Sequence, residues 1–503
     1  MESSWFIFIV SLLCILPLLK SFFSSIAGAG KKKLPPGPLS VPLVGNLVWL
    51  RRSLSELELI LRELKTKYGP FITIRIGPRI RLIFIGSHSL AHRALVQNGA
   101  VFSDRPRAPP TSKIVTSNQR TISSAAYGAT WRILRRNLTY EILQPSRVKS
   151  YYMSRGWVLG GLIQGLVVAQ SSESFVSVID HFHFAMFSLL VFMCFGDKLR
   201  ENQIKEIETI QRRWLLNFRR FNALNFWPLL GKNFVSTRLQ AKERPINQTE
   251  EREAEVVAYV DSLAELKLPE ENRNLDEREM VSLCSEFLIA GTDTTATALQ
   301  WIMANLVKQP EVQSKLYDEI IEVVGLPPAM AMSSSKESSM QQMVKEEDLQ
   351  KMPYLKAVVL EALRRHPPGH FVLPHRVTEE VELDGYVIPK NSLVNFMVAD
   401  MGLDPEVWED PMQFNPERFL ADGGEAFDIT GSREIKMMPF GTGRRICPGL
   451  ALALLHLEYF VANLIWYFKW TALDGDDIDL SEIQEFSIVM KNPLRARISP
   501  RVS

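Results

Sequence analysis

Cys447 stands in the stretch FGTGRRICPG, Phe440 to Gly449, among three glycines, two arginines and a proline. A thiol meant for the core would sit among branched aliphatic side chains, and half of a disulfide would need a partner. The chain has four cysteines, Cys14, Cys194, Cys284 and Cys447, each in a different segment and without CxxC spacing. That pattern suggests neither a zinc site nor a disulfide framework. Three chemistries then compete for Cys447. A nucleotide loop is hinted at by Gly441-Thr442-Gly443, but Ile446 occupies the sixth position of GxGxxG and no βαβ unit surrounds it. A nucleophile would need a base that sequence does not locate. A metal ligand needs only a thiolate in a positive, hydrogen-bonding setting.

The metal reading has the most support from the neighbours. Glycines let the backbone approach a flat ligand closely. Arg445 can answer a negative charge, and a helix beginning near Pro448 would aim its positive end at the sulfur and lower its pKa. A single thiolate without an accompanying His or Cys matches haem iron held by one axial cysteine.

A second constellation is AGTDTTATALQWIMANL, which starts at Ala290 in an apolar helix expected to begin near Met280. Gly291, Thr292, Asp293, Thr294 and Thr295 are poor helix formers in a segment otherwise built for burial. Asp293 could cap a helix end there, although the apolar period resumes through Leu299, Ile302 and Leu306. The other reading is a polar notch that holds water and passes protons, with Thr hydroxyls bonded to backbone carbonyls. Spacing does not decide between them. In EALRRHPPG, Glu361 and Arg364 are three apart and share a helix face. Taken alone they read as a surface pair, and nothing in NPERFL demands that Arg418 join them.

These residues need a large scaffold. The chain has 503 residues, 46% of them hydrophobic and 23% charged, enough for one large folded domain or two or three smaller ones. A net charge of +2 argues against nucleic acid as the main partner. Ser53 to Lys67 has helical spacing, FITIRIG and RLIFIG alternate like a hairpin around Gly77-Pro78, and the chain beyond Trp131 is mostly helical in period. Val381 to Val394 reads as short strands around Asp384-Gly385, and Ser333–Gln342 as a polar loop. The expected fold is mainly α with a minor β portion and no βαβ alternation, which disfavours a Rossmann or barrel design.

The N-terminus is apolar from Trp5 to Phe23 except for Ser11, Lys20 and Ser21, and Lys31–Lys33 follow. That run is long enough to cross a bilayer. A cleaved signal peptide is the rival, with Ala27–Ala29 as its cleavage site, but such signals begin with basic residues and this one carries Glu2. Lysines after the run keep the bulk of the chain cytosolic. The prolines of LPPGPLSVPLVGNL then make a stiff spacer. The expected division is a transmembrane anchor over 1–29, a basic and proline-rich spacer over 30–46, and a catalytic domain over 47–503.

Taken together, the motifs resemble the cytochrome P450 family. FGTGRRICPG fits its haem signature Phe-x-x-Gly-x-Arg-x-Cys-x-Gly at every fixed position. AGTDTT is similar to its oxygen-activating helix motif, EALR to its Glu-x-x-Arg element and PERF to its Pro-Glu-Arg-Phe element, in the family's order. The resemblance covers essentially the whole chain and is nearest to plant A-type microsomal enzymes, plant family 89.

That resemblance implies the cytochrome P450 fold, a single catalytic domain behind an N-terminal membrane anchor, with haem b (iron protoporphyrin IX) as cofactor. Cys447 would be its iron ligand, in a loop opened by Phe440. Asp293 and Thr294 would steer protons to bound oxygen. Trp131 and Arg135, in WRILR, match a Trp-x-x-x-Arg propionate pattern, and Arg445, His375 and Arg105 would reach the propionates as well. Glu361, Arg364 and Arg418 would form a buried structural triad. The implied reaction is monooxygenation of a lipophilic small molecule. Electrons would come from NADPH–cytochrome P450 reductase, with cytochrome b5 as a second donor, at the cytosolic face of the endoplasmic reticulum membrane. Arg132, Arg136, Lys436 and Arg444 are candidates to dock the reductase. The pocket would be lined by Arg105–Tyr127, the aromatic run Arg212–Leu230, the stretch before Asp293, PPGHFVLPH and EFSIVM. Two rivals of other classes are an isomerase or dehydratase of the same fold, and a non-catalytic haem- or lipid-binding membrane protein.

Overall fold

The computed structural model describes residues 33–38, 46, 54–76, 80–196, 202–209, 258–328, 343–420, 427–474 and 477–501. The anchor, most of the spacer, Gly77-Pro78, the aromatic run 212–230 and the loop 333–342 lie outside the described residues.

The expected first helix is α1, Leu54–Tyr68. The alternating runs after it are β1, Phe71–Ile76, and β2, Ile80–Ile85, paired antiparallel from Phe71↔Ile85 to Ile76↔Ile80. Trp131 and Arg135 ride on α2, Ala129–Asn137, and α3 follows at Tyr152–Glu173. Then comes α4, Val178–Phe195, which is apolar almost all round and accordingly buried on most of its surface. It stops at Gly196, whose φ of 76° is the left-handed conformation that closes a helix.

The central element is α5, Glu277–Lys308, 32 residues long. It begins three residues before the expected start near Met280, because Asp276 and Glu279 form a capping box. Asp276 Oδ1 accepts from the Glu279 amide and Glu279 Oε2 from the Asp276 amide, both at 2.8 Å. Asp293 therefore lies mid-helix and is no cap. Gly291 lies at the crossing with α4, where a Cβ would stand 2.6 Å from Leu190 Cδ1 and push that side chain aside. Pro310 opens α6, Pro310–Val324, at the position where its missing amide costs nothing.

Glu361 and Arg364 sit in α7, Pro353–Arg365. The strands β3, His375–Arg376, β4, Val381–Leu383, β5, Tyr386–Ile388, and β6, Leu393–Phe396, follow. β4 and β5 form the expected hairpin, with Asp384 (φ 55°) and Gly385 (φ 74°) at its turn. β6 leaves it and joins the larger sheet, in the order β1-β2-β6-β3, parallel to β2 and antiparallel to β3. After Cys447 comes α8, Leu450–Tyr467, and then a hairpin of β7, Glu482–Gln484, and β8, Ile488–Met490. α4 and α8 are each long and apolar enough to cross a membrane, but most of each is buried inside the fold, packed with α5 and α7 in one hydrophobic core. The fold is mainly α with a minor β portion, as the sequence patterns led us to expect.

Candidate active site

The Cys447 loop is shaped by its glycines. Gly441 and Gly443 adopt φ of 67° and 74°, and a Cβ on Gly443 would fall 2.2 Å from the Leu95 carbonyl oxygen. Only glycine suits that turn. The Cys447 amide donates to the Phe440 carbonyl at 2.9 Å, closing the loop, and the Phe440 ring packs on the main core. α8 starts at Leu450 rather than near Pro448, so the amide that reaches the sulfur is that of Gly449, its N-cap residue. Burial pushes the Cys447 thiol up, while the Gly449 amide and Arg135 pull it down. Among the protein's own groups burial outweighs both. A thiolate at this place needs a stronger positive partner, which is what a metal ion supplies.

Around this loop stand cations in excess. Arg135 donates to the Ile446 carbonyl at 2.6 Å. Arg445 donates to the carbonyls of Ser103 at 2.8 Å, Ala125 at 2.7 Å and Ile122 at 3.2 Å. Arg105 donates to those of Ser123 at 2.8 Å, Leu373 at 2.8 Å and Pro374 at 2.9 Å. Burial first, and then repulsion from Arg105, lowers Arg445 to about 9. Burial lowers Arg105 to about 10, despite Glu286 and Asp104. His375 Nδ1 lies 2.6 Å from the Phe102 carbonyl, and burial together with Arg105 and Arg445 depresses it to about 3, so its ring is neutral. Trp131, whose ring lies under Arg445 at 4.5 Å and Arg135 at 5.6 Å, has a buried indole N–H with no partner. Crowded guanidinium groups beside an orphaned donor fit the two carboxylates of a haem.

The polar notch of α5 is also real. Thr294 Oγ1 donates to the Ala290 carbonyl at 2.6 Å, the backbone bond that its position suggested. Asp293 Oδ2 accepts from Ser487 Oγ at 2.5 Å, and its Oδ1 is 3.5 Å from His183 Nε2. Ser487 lies at the tip between β7 and β8. Its neighbour Ile488 donates to the Pro368 carbonyl at 2.9 Å and accepts from the Trp301 indole at 2.9 Å. Through Pro368 the notch is tied to the segment that presents Leu373, Pro374 and His375 to the cation cluster. Ala290 on α5 and Ala451 on α8 are both exposed although their helices run through the core. Small open positions of this kind suit a flat ligand.

Behind the loop, Arg364 holds Glu361 through two bonds of 2.7 Å, and Arg418 Nε adds a third at 3.2 Å. Glu361 and Arg364 are fully buried, which removes the surface-pair reading.

The sequence model of the family described as Cytochrome P450 matches residues 35–498. This chain belongs to the cytochrome P450 family. It is 49% identical over 492 residues to Cytochrome P450 89A9 of Arabidopsis thaliana, covering 93% of this chain and 94% of that relative, which supports placement in plant family 89. It is 29% identical over 496 residues to an isoflavone 3'-hydroxylase of Medicago truncatula, covering 92% of each. A zebrafish cytochrome P450 solved with abiraterone shares the fold, with a TM-score of 0.70 at 23% identity over 88% of this chain and 100% of that one. The protein is therefore a haem-iron monooxygenase that works with a redox partner on a small molecule.

Three residues of this P450 site escaped sequence reasoning. Glu286 accepts from the amides of Ile122 and Ser123 at 2.7 and 2.8 Å, holding the segment whose carbonyls bind Arg105 and Arg445. Ser487 and His183 both reach Asp293. The only available signal was the HFH triplet in the otherwise apolar α4, and it pointed to no partner.

Proposed function

We propose that this P450 inserts one oxygen atom from O2 into a lipophilic small molecule, with Cys447 the single protein ligand to the iron of haem b. The supporting observation is the Cys447 loop, a half-buried sulfur with a Gly449 amide on it, ringed by Arg105, Arg135, Arg445 and the unpartnered Trp131 indole. Bound there, the haem would bind O2 and activate it. The residues do the rest. Arg105, Arg135 and Arg445 would neutralise its carboxylates and the Trp131 indole would donate a hydrogen bond to one of them, while His375, uncharged, offers a ring nitrogen. Asp293 and Thr294 hold and pass protons on the α5 side. The Glu361–Arg364–Arg418 triad keeps the Cys447 side of the fold rigid.

Electrons come from NADPH through NADPH–cytochrome P450 reductase, with cytochrome b5 as a second donor. Arg132, Arg136 and Arg444 are exposed and Lys436 half-buried near the loop, in keeping with an acidic docking partner. Residues 1–29 anchor the chain in the endoplasmic reticulum membrane, 30–46 space it, and 47–503 face the cytosol. Asn137 lies in an NxT sequon, and its side-chain amide donates to the Ser262 carbonyl at 3.2 Å, a bond that a glycan there would have to break. A lipophilic substrate is supported by the open apolar side chains of Leu373 and Phe486, and by a relative named for 3'-hydroxylation of an isoflavone.

The test is spectroscopic. Haem-loaded protein, reduced under CO, shows the red-shifted Soret band of thiolate-ligated haem, and Cys447→Ser abolishes it while far-UV circular dichroism stays unchanged. A folded, haem-loaded wild type without that band sinks the reading. Turnover of a hydroperoxide without NADPH would instead favour the isomerase or dehydratase class.

A further inference from the structure

His183 places its ring between two carboxylates from distant parts of the chain. Its Nδ1 is 2.9 Å from Glu208 Oε1 and its Nε2 is 3.5 Å from Asp293 Oδ1. The three side chains keep only 11%, 16% and 17% of their exposure, so the group is mostly withdrawn from water, with each carboxylate keeping a small open area, Glu208 on the far side of the ring from Asp293. The second Asp293 oxygen is occupied by Ser487, whose hydroxyl is 3.2 Å from Thr297 Oγ1. Asp293 is thus gripped from α4 on one side and from the β7–β8 tip on the other. Two carboxylates in this setting are costly unless a cation or a shared proton lies between them.

We propose that His183 is the positioning residue of Asp293, fixing its carboxylate and handing it protons that enter at Glu208. The proposal rests on the reading of Asp293 as the acid of the monooxygenase. In the step, the imidazolium gives its Nε2 proton to Asp293 Oδ1. Asp293 becomes a neutral acid, and the ring is left neutral with its Nδ1–H donating to Glu208. A proton taken from solvent by Glu208 then recharges the ring, which presents the freed nitrogen by a half-turn about Cβ–Cγ. No electron moves, and each proton lost by one group is gained by the next. A separation of 3.5 Å is longer than a formed hydrogen bond, as is common for such contacts before a complex tightens them.

The surroundings favour the charged ring. Burial opposes the charge, but the neighbouring carboxylates of Asp293 and Glu208 outweigh it and raise His183 above the ordinary histidine value. Asp180, on α4 itself, acts on His181. Lys205, on the segment that carries Glu208, lies 5.6 Å over the Phe184 ring. A histidine kept only for packing would not need carboxylates on both nitrogens.

The experiment uses full-length, haem-loaded protein with the reductase, NADPH and O2, and no added substrate, and measures how consumed O2 divides between water and hydrogen peroxide. In His183→Gln and in His183→Phe the share leaving as water falls about tenfold, less than the roughly 10²–10⁴ that a positioned proton donor itself contributes, because His183 acts through Asp293. Its pH profile also loses the limb that titrates with the histidine. Separately, histidine-ring NMR of the same protein, assigned by the signal missing in His183→Gln, shows a raised pKa that Asp293→Asn brings down. Unchanged partition and pH profile in both variants, or a ring that ignores Asp293→Asn, overturns the proposal. A wild type without the thiolate CO band sinks the monooxygenase reading instead, and the NMR titration still decides whether His183 and Asp293 share a proton.

Discussion

The guanidinium of Arg364 meets both oxygens of Glu361 at 2.7 Å, and neither side chain touches solvent. Arg364 also donates to the carbonyls of Gly402, Pro411 and Gln413, so five bonds leave one buried group.

Removing either partner strips a buried charge of its main counter-charge, since Arg418 holds Glu361 through a single bond of 3.2 Å and Arg364 would keep only carbonyl acceptors. Arg364→Ala and Glu361→Ala should each cost about 3–5 kcal/mol in denaturant unfolding. Arg364→Lys should recover little of that, because an ammonium cannot reproduce the two-pronged contact. A double variant that replaces both with apolar residues should be less damaging than either single change.

A pH optimum for stability follows from a second buried group, His366, His370, Glu58 and Glu482. His370 lies 2.7 Å from Glu58 and 3.2 Å from Glu482, and His366 is 2.8 Å from Glu482. Burial opposes the His370 charge, but its two carboxylates raise it to about 9. Its contribution is complete below the ordinary histidine value and is lost as pH climbs through about 9. Burial, which outweighs Glu482, lowers His366 to about 4, so stability falls as pH drops below the ordinary histidine value towards 4. The contribution of Glu482, held low by both histidines against burial, is present above the usual carboxylate range and fades in acid. The thermal midpoint should peak near the ordinary histidine value of roughly 6.5. His370→Gln should flatten the alkaline limb and keep the part of the acid limb that His366 supplies, while weakening the part that comes from Glu482.

Trp131 offers a test that separates fold from cofactor. Its indole N–H is buried without a protein partner, so Trp131→Phe removes a donor that nothing in the chain satisfies. The apoprotein should lose little stability, whereas haem should leave the variant faster, by a factor matching about 1.5–3 kcal/mol for one hydrogen bond to a carboxylate. The rate of haem transfer to a scavenging apoprotein measures it. Equal rates in wild type and variant would remove Trp131 from the propionate set.

What could be read in the sequence was whatever is local. The Cys447 loop is ten consecutive residues, and its glycines, arginine and cysteine announce their chemistry without help from the fold. The β4–β5 turn and the helix α1 are equally local. The start of α5 was legible as well, in the Asp276–Glu279 capping pair, but apolar periodicity drew attention to Met280. Burial is different. Glu361 and Arg364 at a spacing of three look the same on a surface or in a core, and only α7 packing beneath the 402–418 segment decides. Arg105 is held by the carbonyls of Ser123, Leu373 and Pro374, partners that its own stretch of sequence does not reveal. His183, Glu208, Asp293 and Ser487 meet only through tertiary contacts, and no short pattern encodes such a meeting.

The parallel pairing of β2 with β6 puts Ile83 beside Val394, so one of the first strands made waits for one of the last. During synthesis, β1 and β2 form at most a two-stranded ribbon with an open edge, a marginal structure in water. The sheet can close only after the segments for α2 to α7 have left the ribosome, and so distant a contact slows folding. A nascent chain halted before Leu393 presents that edge to chaperones and to its own kind, which makes the arrival of Leu393–Phe396 the event that closes this sheet.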